Sequence, residues 1–106
     1  MSEGSQIYVA PSFQALYRDT RGRWTEAVQV VAERHELCED LAQHLTTHCQ
    51  SVHIEVGADT QEVLERCLQG LLTPDAGVTK AEAQWVVTRL AELLNWPHPG
   101  LGSPAG

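Results

Sequence analysis

The chain has 106 residues, a 42% hydrophobic share and a formal net charge of −7. That length and apolar content fit one globular domain with its own core, without need of disulfide or metal staples. The acidic balance argues against a general nucleic-acid binder or an anionic-membrane binder, since both need clustered Lys and Arg.

The charge is uneven. Residues 1–24 carry Arg18, Arg21 and Arg23 against Glu3 and Asp19, while everything after Trp24 holds four basic and twelve acidic residues. MSEGSQIY lacks the basic and apolar regions of a secretory signal. No apolar run approaches the ~18 residues that span a bilayer. Three cysteines at irregular spacing do not suggest a disulfide framework. A soluble cytoplasmic protein with reduced thiols is the expectation.

In chain order, QIYVA (residues 6–10) reads as a strand, and residues 10–24 leave two readings open, a turn at Gly22 or a short helix over residues 12–18. A first helix is expected from an N-cap at Thr25, with Glu26 in its first turn. Its apolar positions Ala27, Val30, Val31, Cys38, Leu41, Ala42 and Leu45 recur at helical period, and it should end near Thr46–Cys49. SVHIEV (residues 51–56) then alternates, with Val52, Ile54 and Val56 on one face, which predicts a half-buried strand paired with residues 6–10. A second helix runs from Asp59 to about Leu72, with Val63, Leu64, Cys67, Leu68 and Leu71 as its stripe. A third opens on the capping box Thr79-Lys80-Ala81-Glu82 and closes at Asn95-Trp96-Pro97. The expected fold is α+β and mostly helical: three main helices packed with a small two-stranded sheet. Residues 6–96 form its single domain, and residues 1–5 and 97–106 are expected to be flexible termini.

Residues 35–53, HELCEDLAQHLTTHCQSVH, concentrate four histidines and two cysteines. His44 and His48 are four apart, so on a helix both rings leave one side, as in known metal sites. They supply only two ligands where structural zinc takes four, and Asp40 stands roughly 12 Å of helix rise from His48. Zinc is therefore a cofactor only under an alternative reading, with none under the main one. Cys38 and Cys49, eleven apart, fall within about 20° on an ideal helix and should both pack inward. Thiol catalysis needs an activated nucleophile with an orienting partner, and the sequence names none.

Arg18, Arg21 and Arg23 are a candidate anion site, although three arginines around Gly22 more often form solvated surface. There is no glycine-rich phosphate loop. DAGVTK (residues 75–80) lacks oxygen ligands at Gly77 for a calcium loop. A helix-turn-helix fails on its long connection and its shortage of basic residues.

The third helix offers a partner surface. With Ala83, Val86, Val87, Leu90, Leu93 and Leu94 facing the core, Trp85, Arg89, Glu92 and Trp96 line the other side. Trp and Arg are the residue types most enriched at interface hot spots. The leading expectation is thus a small, acidic, cytoplasmic, non-enzymatic interaction or regulatory module. It would bind a protein partner or form a homodimer through its C-terminal helix, with neither nucleic acid nor membrane as partner. The alternative is a metal-binding or thiol-dependent protein centred on residues 35–53.

Overall fold

The computed structural model describes residues 8–99. Four α-helices follow in order: α1 (Pro11–Gln14), α2 (Val28–Val56), α3 (Thr60–Leu71) and α4 (Lys80–Leu94). Two 3-10 turns, Ala15–Tyr17 and Pro74–Ala76, extend α1 and link α3 to α4. Among the described residues there is no strand or sheet, only an isolated bridge between Arg18 and Trp24.

The expected sheet is therefore corrected: residues 51–56 are the last turns of α2, which runs unbroken for 29 residues. The proposed partner strand fails as well. Tyr8 to Ala10 lead into α1 without joining a ladder, and Gln6 and Ile7 lie outside the described residues. The physical reason is cooperativity. Extending a helix that is already nucleated adds one hydrogen bond per residue ordered, whereas a six-residue strand without a neighbour has no ladder to join. Thr46, expected to weaken the helix, bonds its hydroxyl to the Gln43 carbonyl at 2.7 Å and stays helical. The stop comes at Gly57: its N–H makes a last helical bond to the His53 carbonyl at 3.2 Å, and its φ of 76° then turns the chain out of the helix.

The start of α2 also differs from expectation. Thr25 does not cap it; its N–H and hydroxyl both donate to the Tyr17 carbonyl, at 2.8 and 3.1 Å. Those bonds fasten the end of the preceding loop, and the helix begins three residues later.

The chain divides into two compact units, one ending at Leu37 and the other starting at Cys38, so the long helix contributes to both. In the first unit, Pro11 opens α1, where its missing N–H costs nothing, and Phe13 is fully buried. His35 presents its ring edge to Phe13 with centroids 5.2 Å apart. The loop that follows is built on Asp19. Its carboxylate accepts the backbone N–H groups of Arg21 and Arg23 at 2.8 and 2.9 Å, an arrangement that turns the chain at Gly22.

In the second unit, α3 and α4 pack on each other. Val63, Leu64, Leu68 and Leu71 on α3 and Ala83, Val86, Val87, Leu90 and Ala91 on α4 are buried. Each large aliphatic side chain so enclosed contributes about 1.5–3 kcal/mol. Cys38, Ala42 and Cys49 supply the buried positions of α2 here. The caps of α4 are complete. Thr79 Oγ1 accepts the Glu82 N–H at 3.0 Å, and the fully buried Glu82 carboxylate accepts the Thr79 N–H at 2.9 Å. At the other end Asn95 takes the left-handed conformation, and the Trp96 N–H reaches back to the Ala91 carbonyl. Asp59 precedes α3 in extended conformation but makes no side-chain cap bond; Glu62 holds Arg66 instead. Beyond α4, Pro99 is buried and its carbonyl accepts from the Gln61 side chain at 2.8 Å.

Candidate functional site: a thiol pair beside an apolar groove

The side chains singled out in the sequence are dispersed. His44 and His48 are both exposed, and His44 Nδ1 donates to the Asp40 carbonyl of its own helix at 2.8 Å. Among the described residues no three His, Cys, Asp or Glu side chains gather closely enough to hold a metal ion. His53 serves the loop after α2: Nδ1 donates to the Ala58 carbonyl at 2.7 Å, and its ring lies 5.1 Å from that of Trp96.

The three loop arginines do not converge. Arg18 lies 3.8 Å over the Trp24 ring and donates to the Gly22 carbonyl, a cation–π pair that spends the guanidinium locally. Arg23 meets Asp19 at 3.3 Å, and Arg21 is exposed. The two backbone N–H bonds hold the Asp19 carboxyl below its ordinary range.

The row along α4 is largely occupied. Trp85 keeps only 8% of its surface. Arg89 makes a two-pronged bond to Glu39, Nε and one terminal nitrogen reaching separate carboxylate oxygens at 2.9 and 3.1 Å. That pairing raises the already high Arg89 pKa further, and Arg89 also reaches Glu92 at 3.1 Å. Trp96 is half-buried.

Two features not anticipated from the sequence lie side by side between α2 and α3. The first is a groove of about 420 Å3, within the size range of binding pockets. Leu45, His48 and Val52 form its α2 wall; Val63, Arg66, Cys67, Gly70 and Leu71 form its α3 wall. Val56 continues the α2 row one turn on and is 66% exposed. Gly70 helps open the groove, for a Cβ built there would meet nothing within 4 Å.

The second feature is a pair of thiols. Cys49 Sγ, fully buried, sits 3.0 Å from Cys67 Sγ, which is part-buried in the groove wall. The hydrogen bond between them splits their acidities. Cys49, holding the proton in an enclosed site, is pushed far above the ordinary thiol range, while the bond it donates draws Cys67 below that range. Cys38, eleven residues before Cys49 on the same helix, is also fully buried, as expected. No local signal could have paired Cys49 with Cys67, since they lie 18 residues apart on different helices. Only the packing of α2 on α3 brings them together.

No helix among the described residues is long and apolar enough to cross a membrane. No protein-family model, curated protein or solved structure matches this chain.

Proposed function

We propose that this protein is a small, non-enzymatic interaction module whose α2–α3 groove receives one cationic amphipathic helix of a protein partner. The carrying observation is the groove itself: an open, apolar channel between two helices, extended by the exposed Val56. Grooves of this kind accept the apolar face of a third helix through anchors at i, i+3/i+4 and i+7. Charge chooses the sign of that helix. From Cys38 onward the chain has nine acidic and three basic residues. Glu55 and Glu62, both exposed, continue the helical rows that line the groove, and Glu62 already neutralises Arg66. The row Trp85, Arg89, Glu92 and Trp96 suits a partner less well, because Trp85 has little surface left and Arg89 is committed to Glu39.

A labelled synthetic helix with leucines on one face and lysines on the other is the probe, followed by fluorescence anisotropy. Saturable binding that weakens with added salt is expected. Val52→Asp, placing a charge on the groove wall, should weaken it by roughly tenfold or more, equivalent to about 1.4 kcal/mol. Equal binding of the same peptide with glutamates for lysines, or indifference to Val52→Asp in a variant that keeps its helical circular dichroism, overturns the reading. Light scattering adds a separate arm: a dimer abolished by Val52→Asp would give the groove to a second copy of the chain instead.

A further inference from the structure

We propose that Cys67 is a thiol-modification site for low-molecular-weight disulfides of the glutathione class, and that Cys49 is its resolving thiol, converting the adduct into an internal Cys49–Cys67 disulfide. The geometry divides the roles. Cys67 lines the groove and can be approached from solvent, whereas Cys49 is fully buried and can be reached only by its neighbour. Their sulfurs stand 3.0 Å apart, so about 1 Å of closure reaches a covalent bond of ~2.05 Å. The hydrogen bond donated by Cys49 favours negative charge at the accessible sulfur.

The chemistry closes without a further reagent. Cys67 thiolate attacks one sulfur of the small disulfide RSSR, forming Cys67–S–S–R and releasing RS−, which takes up a proton as RSH. The Cys49 sulfur then attacks Cys67 Sγ, breaking the mixed disulfide, as its proton passes to the departing second RS−, which leaves as RSH. The protein dithiol is oxidised by two electrons, and RSSR is reduced to two RSH. The attacking thiolate, the accessible sulfur and the adjacent second thiol are the three requirements of thiol–disulfide exchange. The product ties α2 to α3 along one wall of the groove.

The full-length reduced protein is incubated anaerobically with oxidised glutathione, quenched in acid, alkylated and weighed intact. Cleavage after glutamate then separates the cysteines, because Glu39 lies between Cys38 and Cys49, and Glu55 and Glu65 between Cys49 and Cys67. Wild type should lose two hydrogen atoms, with the Cys49 and Cys67 peptides linked and Cys38 alkylated. Cys49→Ala, checked for folding by circular dichroism, should stall as a glutathione adduct on Cys67. Cys67→Ser should slow all modification roughly tenfold or more, because the remaining thiols are buried. Three results would overturn the assignment: wild type remaining a dithiol in excess oxidised glutathione, Cys38 reacting as fast as Cys67, or a folded Cys49→Ala chain that takes no adduct. Disulfide formation is read on the chain alone and requires no groove occupant, so its outcome is independent of peptide docking.

Discussion

Val86, Val87 and Leu90 on α4 are fully buried, whereas Val52 and Val56 on the last turns of α2 stay partly or largely open. Both sets are aliphatic and both sit on helices of the same unit. What differs is the neighbour. Helix α4 has a partner helix along its apolar stripe and caps at both ends, so its apolar surface is spent on stability. The α2 row looks across a groove in which Gly70 presents no side chain, so its apolar surface remains available. Apolar residues left open along a cleft are the usual mark of a binding surface, whereas the same residues sealed in a core contribute to folding alone.

Four substitutions test that contrast. Leu90→Ala should be the most damaging, costing about 2–5 kcal/mol in urea denaturation, because it removes a fully enclosed side chain and leaves a cavity. Val56→Ala, by contrast, should stay within about 0.5 kcal/mol of wild type, as exposed positions do. Comparable losses at the two sites would erase the distinction between a folding face and a binding face. Thr79→Ala should cost about 1 kcal/mol, because it removes the hydroxyl that accepts the Glu82 N–H while the bond from the residue-79 N–H to the Glu82 carboxylate remains. A negligible loss would mean that α4 is held by its stripe alone. The last effect should have the opposite sign. Gly70→Ala, at a helical position with open space around the new methyl, should stabilise by about 0.5–1 kcal/mol. It should also weaken binding of the lysine-faced peptide, so that stability and binding part company at one residue.

How much of this was legible before the structure depends on whether the signal was local. The capping box at Thr79 and Glu82 was, because its four positions carry both halves of the hydrogen-bond exchange. The span of α3 was nearly so, its boundaries shifting by a single residue at either end. SVHIEV misled because six alternating residues satisfy a strand and, through Val52 and Val56 at i and i+4, a helix row equally well. Gly57 was the better guide, since a residue that readily takes positive φ marks where a helix can end. Thr25 was an acceptable cap by type, but a loop carbonyl at Tyr17 claimed its hydroxyl.

By itself, then, the sequence determined a helical chain of net negative charge, the position and caps of α4, the stripe of α3 and the inward orientation of Cys38 and Cys49. Each of these follows from bonds or periodicities spanning a few residues. Tertiary structure decided that α2 runs on to Val56, that Trp85 and Arg89 are used within the fold, and that Cys49 meets Cys67 beside an open groove. Those outcomes depend on which helix faces which, and hydrophobic burial, being non-directional, sets that choice only when the elements assemble.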